Sequence, residues 1–169
     1  MAVDSGLTSL EVLGIAIQSE IEAAKLYERM EKRVRNIDLK EKLEFLKGEE
    51  EKHRSIFEDI HRKRYPDVEL KLPEKSMVPM MDVALTKEMT LKELFEVAMK
   101  AEKISEEFYT DLARKSKDAS GTSMLNYLSG IERGHYNLLK NEYDMVVTFP
   151  AYAETEEFLM GERLTHVGP

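Results

Sequence analysis

The chain repeats itself at an offset of 82 residues, and the repeated positions carry side chains that bind metals. Glu20 returns as Glu102, Glu50 as Glu132 and His53 as His135 (102 − 20 = 132 − 50 = 135 − 53 = 82). The flanks keep the same offset: Thr8 and Glu11 return as Thr90 and Glu93, Ala16 as Ala98, and Tyr27 as Tyr109. Leu43 and Leu46 return as Leu125 and Leu128, and Gly48 as Gly130. Two copies of a helical unit that each offer one lone Glu and one Glu-x-x-His can close around a shared pair of metal ions.

Residues three and four apart share a face of an α-helix, so the spacing of apolar positions locates the helices. Thr8-Ser9-Leu10-Glu11 has the form of a capping box, and an amphipathic run follows it to about Val34. Asn36 or Asp38 can cap a second run. In it Leu39, Leu43, Leu46, Glu50, His53, Phe57 and Ile60 advance in steps of four and three along one stripe. Tyr65-Pro66-Asp67 stops this helix, and Pro73 and Pro79 disfavour another until Thr90-Leu91-Lys92-Glu93 supplies a second capping box. The third helix is expected from about Leu91 to Lys115. Asp118 to Gly121 reads as a turn, after which Leu125, Leu128, Glu132, His135 and Leu139 repeat the second helix's stripe as far as Phe149-Pro150. A short helical candidate remains around Glu154 to Met160 in the tail.

Short links make helices 1 and 2, and helices 3 and 4, antiparallel neighbours. Roughly 25 residues between about Arg64 and Glu88 suit a crossover along the length of a bundle. The expected fold is all-α, a four-helix bundle of two repeated antiparallel helix pairs joined by that crossover. It forms one domain, residues 1–169: helix pair 8–64, crossover 65–89, helix pair 90–148 and a short tail 149–169. At 42% hydrophobic residues the chain can fill one continuous core.

The candidate ligands fall on the inward stripes. Glu20 lies on the line Leu13, Ala16, Glu20, Tyr27, and Glu102 on the line Phe95, Ala98, Glu102, Tyr109. Burying an unpaired carboxylate costs several kcal/mol, and converging carboxylates also repel one another. Two divalent cations would balance the four Glu charges, with two neutral imidazoles as nitrogen donors. Such a donor set suits iron or manganese and also accepts zinc. Tyr27 and Tyr109 lie seven residues, about two turns, beyond Glu20 and Glu102. Each either hydrogen-bonds a ligand carboxylate or fills space and finds a carbonyl. Ala16, Ala98, Gly48 and Gly130 are small where the stripes approach the site, and are expected to admit close helix approach or to leave room for a small oxidant. His61, at the end of helix 2, and His166, in the tail, lack such company and are expected at the surface. Met77, Met80 and Met81 in the crossover either fill core gaps or line a groove.

Composition excludes several function classes. A net charge of -8 argues against a nucleic-acid-binding surface, and the basic clusters Lys32 to Arg35 and Arg62 to Arg64 fall where helices end, complementing their dipoles. The absence of cysteine rules out a disulfide framework, a thiolate nucleophile and a cysteine-held iron–sulfur or zinc site. No stretch approaches the roughly 20 apolar residues needed to cross a bilayer, and no leader is evident, so a cytoplasmic location is expected.

The two hairpins, about residues 8 to 145, resemble the ferritin-like di-iron carboxylate superfamily. The Glu followed at seven by Tyr, and the Glu-Glu-x-x-His string at Glu49 to His53, are most similar to the rubrerythrins. The resemblance implies reduction of hydrogen peroxide, or oxygen, at a carboxylate-bridged pair of iron ions. It implies that Glu20 and His53 hold one iron, that Glu102 and His135 hold the other, and that Glu50 and Glu132 bridge. Many rubrerythrins add a four-cysteine rubredoxin-like domain; this cysteine-free chain would take its electrons from an external protein such as a rubredoxin. The family's third helix commonly bears a further Glu one turn beyond its ligand. Here that position is Ser105, with Glu106 displaced by about 100° around the helix, which weakens peroxidase against a generic oxidase or ferroxidase. Two other classes use the same residues: a ferroxidase that stores iron in a hollow assembly, and a non-enzymatic, metal-stabilised helical binding module. A homodimer or higher homo-oligomer is expected.

Overall fold

The computed structural model describes residues 8–74, 89–117 and 119–155. The chain forms α1 (Ser9–Glu31), α2 (Ile37–Arg64), α3 (Leu91–Lys115) and α4 (Ala119–Thr148), followed by a short 3-10 turn at Pro150–Tyr152. Among the described residues there is no strand. Met77, Met80, Met81, His166 and most of the helical candidate at 154–160 lie outside the described residues.

The repeat is visible in local structure first. At the start of α1 the Thr8 hydroxyl accepts from the Glu11 amide at 3.3 Å, while the Glu11 carboxylate accepts from the Thr8 amide at 2.8 Å. Thr90 and Glu93 reproduce the pair at the start of α3, at 3.2 and 2.7 Å. Each box satisfies amides that have no partner inside the helix. Of the two candidate caps for α2, Asn36 takes the position and accepts from the Leu39 amide at 2.9 Å. α4 begins at Ala119, so Ala119 to Gly121, expected in a turn, are already helical. The exposed penalty for a helical glycine is only about 1 kcal/mol, which packing against α3 readily offsets.

α1 packs on α2 and α3 on α4, as the short links require. Two apolar clusters fill the bundle. One joins Leu26, Tyr27 and Met30 of α1, Leu39, Leu43 and Leu46 of α2, Phe95 and Ala98 of α3, and Leu139 of α4. The other joins Leu13, Ala16 and Ile17 of α1 with Phe57, Tyr109 and Leu128. The C-terminal half of α1 therefore meets the N-terminal half of α3, and the start of α2 meets the end of α4. Both cross-pairings run antiparallel. The stretch between the clusters, by position along every helix, is where the repeated Glu and His residues fall.

Two connections close the ends. After α2 the chain turns back so that Tyr65 and Leu70 pack on the second cluster. A Cβ built on Gly14 would stand 2.8 Å from the Lys71 carbonyl oxygen, so only glycine lets the segment lie this close to α1. After α4, Tyr152 donates to Glu142 at 2.6 Å and the Ala153 carbonyl accepts from the Arg35 amide at 2.8 Å.

Candidate metal centre

All six repeated residues are buried, none more than 4% exposed, and their side chains converge between the two apolar clusters. Glu20, Glu50, His53 and Glu132 form one group, and Glu50, Glu102, Glu132 and His135 a second, each with its donor atoms within 4.8 Å of one another. Glu50 and Glu132 belong to both. Glu50 turns Oε2 toward His53 Nδ1 and Oε1 toward His135 Nδ1, both at 3.2 Å. Glu132 turns Oε1 toward His53 at 3.4 Å and Oε2 toward His135 at 3.6 Å. Glu20 approaches only His53, and Glu102 only His135, each at 3.6 Å. The two imidazoles lie nearly parallel, with centroids 5.7 Å apart and planes inclined by 18°.

The hydrogen-bond inventory tests whether this donor set fits a pair of cations. Both oxygens of Glu50, Oε1 of Glu132, Oε2 of Glu102 and Nδ1 of both His53 and His135 are buried without a hydrogen-bond partner. Buried polar atoms are ordinarily paired, so six orphans aimed at one region make a candidate binding site. Hard carboxylate oxygens with imidazole nitrogens suit divalent first-row ions. The residues fit the group.

The tyrosines serve the site crosswise. Tyr27 of α1 donates to Oε1 of Glu102 on α3, and Tyr109 of α3 donates to Oε1 of Glu20 on α1. Each contact occupies the outer oxygen and leaves Oε2 facing a histidine. A contact with the Glu on the same helix would have to span about 10.5 Å of axis. Helical side chains lean toward the N-terminus, and the antiparallel neighbour brings the other hairpin's Glu within reach.

Charge within the cluster is regulated by its own members. Burial pushes the Glu20 carboxyl well above its ordinary range, and the Glu50 carboxylate adds to the effect. Burial followed by repulsion from Glu132 does the same to Glu102. Burial opposes protonation of His53, yet the carboxylates of Glu132, Glu20 and Glu50 close to its Nδ1 outweigh it and push the imidazole up to about 12. His135 moves the same way against burial, through Glu102, Glu132 and Glu50. Burial raises Glu132, but the Glu102 carboxyl and the His135 and His53 imidazoles beside it outweigh that and draw it down to about 2. Protons and divalent ions therefore compete for the same atoms.

Other expectations are corrected. His61 is buried at 5% exposure rather than lying at the surface, because the returning segment covers the end of α2 and sets Tyr65 beside it at a centroid distance of 6.0 Å. Gly48 and Gly130 are not close-approach points, since a Cβ on either would meet nothing within 4 Å; Ala16 and Ala98 are fully buried in the core. Glu106 does not join the centre. Its carboxylate accepts from Arg133 Nε at 2.7 Å and from Lys103 at 2.8 Å. Burial raises its pKa, but these two cations hold it below its ordinary value. The Glu106–Arg133 pair had one sequence signal: both break the repeat, standing where Ala24 and Glu51 stand in the first copy (106 − 24 = 133 − 51 = 82).

Comparison with known proteins agrees with this architecture. A solved structure of a hypothetical protein from Pyrococcus furiosus superposes with a TM-score of 0.78 at 28% identity, covering 92% of this chain and 96% of that one. No curated protein matches the sequence significantly. A family model for rubrerythrin matches residues 11–143, which span both helix pairs and all six converging side chains. The chain belongs to the rubrerythrin family.

Proposed function

We propose that the chain is a di-iron oxidoreductase that reduces hydrogen peroxide, or oxygen, with electrons from an external redox protein such as a rubredoxin. One observation carries the reading: Glu50 and Glu132 each split their two oxygens between the two histidines, while Glu20 and Glu102 each serve one. That division matches two ions with two bridging carboxylates and one terminal carboxylate and one imidazole apiece. Glu20 and His53 would hold one iron, Glu102 and His135 the other.

When bound, the iron pair supplies the two electrons that, with two protons, convert hydrogen peroxide to two waters; the external protein then returns two electrons. The residues do the rest. Tyr27 and Tyr109 fix the terminal carboxylates so that one oxygen of each stays turned inward. The apolar layers on either side along the bundle axis, including Phe95, Leu46, Ile17 and Phe57, close the centre at both ends and hold the helices that carry the donors. Among the described residues no helix is long and apolar enough to cross a membrane.

Anaerobic loading with Fe(II), followed by metal counting and separate mixing with peroxide and with oxygen, tests the reading. About two irons per chain, oxidised rapidly by peroxide and re-reduced by reduced rubredoxin, is the expected result. Oxidation no faster than that of free Fe(II) would refute it.

A further inference from the structure

The two halves of the repeat differ at the wall that separates the centre from solvent. Between α1 and α2 lies a cleft of about 270 Å³ whose lining includes Glu20 and Glu50, two of the buried side chains of the centre. Ala24 forms part of its wall, and Lys25, Lys47 and Arg54 stand around it. A water occupies roughly 30 Å³ in the liquid, so the space admits several small molecules.

The corresponding wall between α3 and α4 is filled. Glu106 replaces Ala24 and is 6% exposed, tied to Arg133, the counterpart of Glu51. Glu28 and Lys47 are replaced by Thr110 and Ser129, whose hydroxyls bond each other at 2.8 Å, and Ser129 also donates to the Glu106 carbonyl at 3.3 Å. A duplicated pair of helices has thus kept its ligands and changed its walls.

We propose that the α1–α2 cleft is the entrance to the metal centre for small polar molecules of two or three heavy atoms, held open by Ala24, while the Glu106–Arg133 pair closes the equivalent side. Lys25, Lys47 and Arg54 are met by Glu28 and Glu51, and Arg54 is paired with Glu58 at 2.7 Å, so the opening carries mixed charge and leaves neutral peroxide unhindered. The inference rests on the metal-centre reading given above but needs no redox chemistry.

The test uses the full chain loaded with cobalt(II), with azide as the probe and its binding followed by visible absorption in stopped flow. Ala24→Leu should slow azide binding about tenfold with cobalt content unchanged. The double variant Ala24→Leu/Glu106→Ala should recover much of the lost rate by opening the opposite wall. Azide binding to cobalt-loaded Ala24→Leu at the wild-type rate would overturn the proposal, as would a slowed variant that Glu106→Ala does not rescue. Should Ala24→Leu fail to fold, Lys47→Glu, altered only near the opening, decides. A slower rate that added salt restores supports the entrance, and an unchanged rate and salt dependence overturns it. Failure to bind cobalt would instead sink the metal centre. Inertness of the iron form toward peroxide would sink the redox reading alone.

Discussion

The Tyr27 hydroxyl of α1 donates to the Glu102 carboxylate of α3, so each hairpin orients a candidate ligand of the other. With the reciprocal contact from Tyr109 to Glu20, the two repeats are coupled through the site as well as through the core. Glu20 and Glu102 each take their tyrosine donor from the other hairpin.

Tyr27→Phe removes the donor and leaves Glu102 Oε1 buried without a partner. Metal affinity should fall about 10- to 100-fold, in the half of the centre served by Glu102 and His135, while the Glu20 and His53 half is spared. Competition against a chromophoric chelator, with Tyr109→Phe as the mirror variant, reads this directly. Unchanged affinity in both variants would reduce the tyrosines to space-filling.

Glu50 and Glu132 face both histidines, whereas Glu20 faces one. Glu132→Ala or Glu50→Ala should therefore lower the stoichiometry from about two ions to about one or none, while Glu20→Ala keeps about one. Metal counting after gel filtration checks it. Full occupancy in Glu132→Ala would remove the bridging role.

Stability should depend on pH in opposite senses with and without metal. In the metal-free chain Glu20 and Glu102 titrate well above the ordinary carboxylate range, and His53 is pushed from 6.5 to about 12. Above the unfolded pKa of each group the folded state then holds more protons than the unfolded state. The stabilisation from His53 is complete below its unfolded pKa and is lost as pH rises toward its folded value. Glu132, held near 2, gains its stabilisation as pH rises from about 2 to its unfolded value of 4.5 and adds no slope above it. From about pH 5 to about pH 8 the metal-free protein should thus lose stability. With excess zinc or cobalt the ions displace those protons, and stability should rise over the same interval. Urea midpoints at the two pH values, with chelator and with metal, give the two slopes.

Glycines separate close approach from mere helix weakening. Gly48→Ala and Gly130→Ala place a methyl where nothing lies within 4 Å, so each should stabilise by about 0.5–1 kcal/mol. Gly14→Ala drives a methyl to 2.8 Å from the Lys71 carbonyl and should destabilise by about 1–3 kcal/mol. Thermal melts of the three variants would show opposite signs. Equal shifts would mean the returning segment does not pack on α1.

Much of this was legible in the sequence because it is periodic. Helix positions, the Thr8 and Thr90 caps and the inward direction of Glu20, Glu50, His53, Glu102, Glu132 and His135 follow from spacings of three, four and 82 residues, since helical geometry converts spacing into direction. Partners across the bundle do not follow from periodicity. Which glutamate Tyr27 reaches, why His61 is covered and why Glu106 turns to Arg133 depend on how antiparallel helices and a returning segment meet in space. The divergence of the two walls belongs to both levels. The replacement of Ala24 by Glu106 is written in the repeat, but only tertiary packing makes one wall open and the other closed, because a cleft is a property of the space between helices.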